Sequence, residues 1–444
     1  MGIDAGGKRL GQDHGNGPQA HRNRLKSGWR KQLGLLGPGL ITGASDDDPS
    51  GIATYSQVGA VFGYGLLWAL ALSVPLVIAI QQISARIGRV TGKGIAGNLR
   101  AHYPRPILHG LVFLMVLANL INLGADLAMM GDSVRLIIGA GRTQVYVAGF
   151  AFGTVLLEVF VSYKRYERWL KWLTLALLAY VLTAFVVRVQ WGEALRSTLI
   201  PTFDFKPESI TALVALLGTT ISPYMFFWQS AQEVQDQEVS PHEQPLVRAP
   251  GQAPDQLERI DLDTRTGMAF ASLTAWFIIL TSAATLHSHG ITDIQTSTQA
   301  AAALRPLAGP LAFYLFAAGM IGTGLLAVPL LAGSAAYAAG EALRFPVGLQ
   351  FKAWEAKRFY GVLLGATLLG ALEAFLGINP MKALYASAVI NGIVAGPLMI
   401  FMLLMATDAN IMGSFTLPPM LRVTGWIATG VMILGAVGLL AALR

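Results

Sequence analysis

Three consecutive aspartates, Asp46-Asp47-Asp48, stand directly before Pro49-Ser50-Gly51 in a stretch that is otherwise apolar over 35–58. A carboxylate inside a lipid-spanning helix is costly, about 2.5–3.5 kcal/mol for a central Asp even on the mildest insertion scale. Pro49 removes a backbone donor, and Gly51 lowers the cost of unwinding. A second apolar stretch carries Gly218-Thr219-Thr220-Ile221-Ser222-Pro223-Tyr224, again a proline among small and polar residues. Unwound backbone frees carbonyl oxygens, and carbonyl with carboxylate oxygen suits a hard cation. One proline kink is ordinary packing. Two breaks with an acidic cluster at one of them point to an ion site with Asp48 as its charge. Asp46 and Asp47 either line the approach to it or face water.

The elements that must position these residues are membrane helices. The chain has 444 residues, of which 54% are hydrophobic and 13% charged, and its mean hydropathy is +0.53. Soluble domains carry about 25% charged residues, so a soluble enzyme is excluded. No His/Cys/carboxylate cluster outside the first helix forms a catalytic set, and no enzyme activity is expected. Cysteine is absent, which rules out disulfides and thiolate metal sites. The pI near 9.6 comes from basic residues in the gaps between apolar blocks. That is the pattern of loops facing anionic lipid, and no nucleic-acid partner is expected.

A spanning helix needs about 20 mostly apolar residues. Candidates fall at 35–58, 62–88, 107–132, 144–163, 169–190, 210–232, 267–289, 309–340, 359–378, 383–406 and 424–442. The expected fold is therefore an all-α membrane protein of eleven transmembrane helices. With the N-terminus inside, 24 of the 32 Lys and Arg residues fall on inner segments and eight on outer ones. This bias predicts a cytoplasmic N-terminus and an outer C-terminus for a multi-pass protein of the cell inner membrane.

Residues 1–33 are polar and lack an apolar run with a cleavage site. They read as a disordered cytoplasmic tail, in which His14 and His21 are solvated rather than metal ligands. The first half, 34–190, holds helices one to five; the second, 208–406, holds helices six to ten; helix eleven occupies 424–444. Five helices per half invert the second half in the membrane, and the two breaks then sit in corresponding helices, one and six. This is the pattern of a LeuT-like inverted repeat (5+5) with discontinuous helices. The acidic, Pro/Gln-rich segment 233–265 reads as a partly disordered cytoplasmic loop, with Glu233 a solvated helix end.

The stretch from Gly37-Pro38-Gly39 through Asp48-Pro49-Ser50-Gly51 resembles helix one of the NRAMP family of divalent metal transporters, which has an Asp-Pro-Gly-Asn motif there. Phe62-Gly63-Tyr64-Gly65-Leu66-Leu67-Trp68 and the run 81–93 are similar to its second helix and following loop. The family's helix-one Asn falls at Gly51, its helix-six Met at Ser222 and its helix-six His at Tyr224. These departures resemble the NRAMP-related magnesium transporter branch, NRMT.

The resemblance implies a site built on Asp48, with the carbonyls of Ser45 and Thr219 and the hydroxyl of Ser222. A thioether favours softer transition metals, so Ser222 removes a filter against hard cations. Gly51 and Ser222 are small and widen the site. A wide site with few direct ligands suits Mg²⁺, which keeps several waters. Asn391, near where the family has a site-facing Gln, is either a ligand or a helix–helix hydrogen-bonding residue. Gln229 could hold the ion's water shell, and Met225 is expected in core packing. The implied function is a secondary transporter of hydrated Mg²⁺, and of Mn²⁺, by alternating access. Mg²⁺ or Mn²⁺ enters as substrate, and no resident cofactor is expected. Tyr224 does not titrate near neutrality, and Asn119 and Asn122 on helix three do not titrate, so transport is not expected to be proton-coupled. Asp126 on the same helix is a buried polar partner or a titrating group. The alternatives are a proton-coupled Mn²⁺/transition-metal transporter, or an amino-acid/cation symporter using Phe226, Phe227 and Trp228 as aromatic walls. The partners are the metal cation and the lipid bilayer, and the protein is expected to be a monomer or weak oligomer.

Overall fold

The computed structural model describes Gly43 and residues 46–160, 177–240 and 242–442. Ser45, His14, His21 and the tail 1–33 lie outside the described residues. Among the described residues all regular structure is helical. The helices are α1 (Pro49–Phe62), α2 (Leu67–Thr91), α3 (Ile95–His102), α4 (Arg105–Ile138), α5 (Thr143–Phe160), α6 (Leu178–Val186) and α7 (Trp191–Leu199). They continue with α8 (Pro207–Thr220), α9 (Pro223–Val239), α10 (Ala253–Thr285), α11 (Ala312–Leu343), α12 (Lys357–Glu373), α13 (Pro380–Thr407) and α14 (Pro419–Ala442).

Nine helices among the described residues are long and apolar enough to cross a membrane, with α8 and α9 together forming one interrupted span. The expected spans 35–58 and 169–190 run into residues outside the described set, so the count of eleven is not tested. Large apolar side chains face outward, among them Phe113 at 64%, Phe152 at 65% and Leu434 at 74% exposure. Such surfaces need lipid as solvent.

Each break has the same local cause, a capping residue followed by proline. Asp48 is the N-cap of α1, with Pro49 in its first turn. Ser222 is the N-cap of α9, with Pro223 in its first turn. Proline is favoured at the first helical position because its missing N–H has no intrahelical partner there. At Pro223 it ends the preceding half-helix, α8, for the same reason. The helices then close around the breaks. α1 packs on α8, α10 and α13; α4 packs on α11, α12 and α13; α9 packs on α2 and α11.

The segment 233–265 is not a loop throughout. α9 runs to Val239 and α10 starts at Ala253, leaving the link 240–252. Of the acidic residues that suggested a loop, Glu233, Asp236 and Glu238 belong to α9, and Asp255, Glu258, Asp261 and Asp263 belong to the opening turns of α10, where Pro254 and Asp255 fit a helix N-terminus. The link is pinned to α2: Leu246 N donates to the Arg89 carbonyl at 3.2 Å, and Val247 N to that of Val90 at 3.2 Å. Glu233 is not solvated either. It is fully buried, ion-paired with Arg259 and 4.0 Å from Arg89, which in turn pairs with Glu243 of the link. Apolar packing alone gave no hint of this, because the partners come from four separate parts of the chain.

Candidate cation site at the two interrupted helices

Asp48 has extended backbone (φ −69°, ψ 174°), which turns its side chain back over the start of α1. Its Oδ1 accepts the Gly51 N–H at 2.7 Å. Its Oδ2 accepts Asn122 Nδ2 of α4 at 3.2 Å and the Tyr224 hydroxyl of α9 at 3.4 Å. The carboxylate is 2% exposed, and among the described residues no Lys or Arg pairs with it. An anion held in this way by neutral donors alone is short of positive charge.

The hydrogen bonds continue from Asn122. Its Oδ1 accepts the Ser387 hydroxyl of α13 at 2.7 Å. Ser387 also lies 3.2 Å from the Ser50 hydroxyl, which donates to the Leu384 carbonyl at 3.2 Å. One polar chain thus joins α9, the start of α1, α4 and α13 through Asp48.

The second break supplies carbonyls. Pro223 has no N–H to offer the Thr219 carbonyl four residues back. The Ser222 hydroxyl turns backward instead and donates to the Gly218 and Thr219 carbonyls, at 2.9 Å each. Its proton is committed there, while a lone pair on Oγ and on each carbonyl remains for a ligand. α8 reaches α13 closely because Gly218 lacks a side chain: a Cβ there would lie 2.1 Å from the Ala388 carbonyl oxygen. This contact seats the second break beside Ser387 and Asn391.

The sequence-derived set is placed as follows. Asp48, Gly51, Thr219 and Ser222 lie at the two breaks and are buried. A Cβ on Gly51 would meet the Asp46 carbonyl oxygen at 3.0 Å and the Asp48 Oδ1 at 3.5 Å, so its smallness keeps this turn compact. Asn391 is buried one turn beyond Ser387, and its Oδ1 has no hydrogen-bond partner among the described residues. Gln229 is buried seven residues beyond Ser222, on the same face of α9. Asp46 and Asp47 do not face water; they are 2% and 1% exposed. Met225 packs in an apolar cluster. Among the described residues no three His, Cys, Asp or Glu side chains converge enough to hold a metal by themselves. A cation at Asp48 would be met mainly by amide, hydroxyl, carbonyl and water oxygens. Sequence reasoning missed Ser50 and Ser387, and it did not give Asn122 and Tyr224 their role as direct partners of Asp48. The available signal was Asn122 itself, a polar residue within the apolar part of α4.

The model of the Nramp family, described as natural resistance-associated macrophage protein-like, matches residues 39–442. The chain belongs to the Nramp family. It is 27% identical over 417 residues to the divalent metal cation transporter MntH of Klebsiella pneumoniae (strain 342), covering 90% of this chain and 92% of that one. In structure it is similar to a mutant of the Eremococcus coleocola manganese transporter, with a TM-score of 0.72, 18% identity, and coverage of 92% of this chain and 86% of that one. It is also similar to the closed form of Mhp1, a nucleobase-cation-symport-1 family transporter, with a TM-score of 0.55, 15% identity and 92% coverage of each chain. These two likenesses establish the fold.

Proposed function

We propose that the protein is a multi-pass secondary transporter of divalent metal cations that carries a largely hydrated Mg²⁺, and also Mn²⁺, by alternating access. The observation that carries this reading is Asp48, a buried carboxylate held at the helix breaks, among the described residues, by the neutral donors Gly51 N–H, Asn122 and Tyr224. The relatives' names, divalent metal cation transporter and manganese transporter, support the substrate class.

The preference for Mg²⁺ rests on the ligands. Oxygen and amide groups surround Asp48, Ser222 stands where the family resemblance places a thioether, and Met225 is taken up in packing. Mg²⁺ binds oxygen and gives up water reluctantly; Mn²⁺ accepts similar octahedral oxygen ligands. These features support a place for the chain in the magnesium-transporting NRMT branch. It sits in the inner membrane as a monomer or weak oligomer, with its N-terminus cytoplasmic as the Lys/Arg bias indicates. Transport runs down the ion's electrochemical gradient without proton coupling, because Tyr224 replaces a titrating histidine beside Asp48. Two charges crossing 100 mV are worth about 4.6 kcal/mol, which is ample driving force.

The test is uptake into liposomes loaded with a Mg²⁺-sensitive dye and, separately, a pH dye, with Mn²⁺ and Ca²⁺ as competitors. Saturable Mg²⁺ uptake, inhibited by Mn²⁺ and unaccompanied by acidification, is expected. Acidification that tracks metal entry would refute the coupling claim, and absence of Mg²⁺ uptake would refute the substrate.

A further inference from the structure

Beyond Asp46 and Asp47, which adjoin Asp48 in the chain, the polar chain through Asp48 leaves a buried carboxylate of α4 unused. Asp126 lies on α4 four residues beyond Asn122, so both side chains leave the same face of that helix. It is fully buried, and neither of its oxygens has a hydrogen-bond partner among the described residues. Asn122 reaches Asp48 at 3.2 Å and α4 packs against α1, so Asp126, one turn further along that face, stands on the side of α4 turned toward the start of α1. No Lys or Arg pairs with it among the described residues.

A residue that merely glues helices together would be bonded to its neighbours. Asn119, on the same helix, shows what that looks like: its Nδ2 donates to the Leu331 carbonyl at 3.0 Å and to the Ser334 hydroxyl at 2.7 Å, both on α11. Asp126 has no such bond. Two buried carboxylates near one another repel strongly, and an unpaired buried polar group calls for an explanation. A divalent cation between them supplies one, since two carboxylates balance its charge. The gap in hydrogen bonding on the Asp126 side leaves its oxygens for water held by the ion.

We infer that Asp126 is the second carboxylate of the cation site, holding the ion through its water shell from the α4 side while Asp48 holds it from the break in the first helix. The inference rests on the transport function proposed above. It assigns Asp126 a part in affinity for a hydrated divalent cation.

The experiment compares wild type with Asp126→Asn, Asp126→Glu and Asp48→Ala. It measures Mg²⁺ uptake in liposomes and thermal unfolding in detergent with and without Mg²⁺. Asp126→Asn keeps the shape and removes the charge. It is expected to raise the KM for Mg²⁺ about tenfold or more, as loss of a charge-assisted contact would. It should leave the unfolding temperature without metal unchanged or higher, because a repulsive charge is gone, and it should shrink the rise that Mg²⁺ produces. Asp126→Glu keeps the charge and should retain that rise. A wild-type KM in Asp126→Asn overturns the inference, whatever happens to proton movement. So does an Asp126→Asn protein that is destabilised or unfolded without metal, because that is the behaviour of a structural partner. Undiminished uptake by Asp48→Ala would instead refute the site itself, and so separates the two failures.

Discussion

Alanine at Gly218 would push the two halves of the site apart. The added Cβ would lie 2.1 Å from the Ala388 carbonyl oxygen and 2.4 Å from Gly392 N, both backbone atoms that no side-chain rotation can move. Restoring an ordinary contact of 3.4 Å requires about 1.3 Å of separation between α8 and α13. Overpacking of this kind costs about 1–3 kcal/mol. Because the clash is with backbone, the upper end applies, against a gain of about 1 kcal/mol from alanine's better helix propensity. The functional effect is larger. The Ser222 hydroxyl and the Gly218 and Thr219 carbonyls ride on the end of α8, while Ser387 rides on α13 and reaches Asp48 through Asn122. A misplacement of about 1 Å at a positioned site costs on the order of a hundredfold in rate, so Mg²⁺ uptake in liposomes should fall by at least ~10-fold while the protein still folds. Gly149→Ala in α5 is the control, since nothing lies within 4 Å of a Cβ there; it should transport normally and gain about 0.5–1 kcal/mol. If Gly218→Ala matched wild type in both uptake and unfolding temperature, α8 and α13 would not be in backbone contact. The placement of the second break beside the Asp48 network would then be wrong.

Two further outcomes follow from the same geometry. Ser222→Met restores a thioether at the second break and removes the hydroxyl that bonds the Gly218 and Thr219 carbonyls; competition assays should shift preference from Mg²⁺ toward Mn²⁺ or Cd²⁺, and unchanged competition would remove Ser222 from selectivity. Glu233→Gln takes the shared acid from between Arg259 and Arg89, and should cost about 3 kcal/mol, the penalty for breaking a buried pair, seen as a lower unfolding temperature in detergent; an unchanged temperature would mean the pairing contributes nothing to stability.

The central site was legible because its signals are local. An acid next to proline inside an apolar run, and a second proline in the matching helix, are visible without a structure, and both breaks are present. The partners of Asp48 were not assigned, because Asn122 is 74 residues away and Ser387 a further 265. A lone Asn or Ser in a membrane helix has many ordinary uses. The 233–265 segment misled for a different reason. Composition read its Pro, Gln and acidic residues as disorder, whereas Pro254 and Asp255 open a helix and Glu233 is neutralised by arginines distant in sequence. Burial of Asp46 and Asp47 was also beyond reach, since three adjacent acids look solvated until the surrounding helices are placed.

The most direct measurement is Mg²⁺ uptake by Asp48→Ala in liposomes, made on protein that elutes as a single folded species. Uptake at the level of empty liposomes is predicted, because Asp48 ties the break before α1 to both α4 and α9 through Asn122 and Tyr224. Uptake equal to wild type would contradict a cation path through this carboxylate.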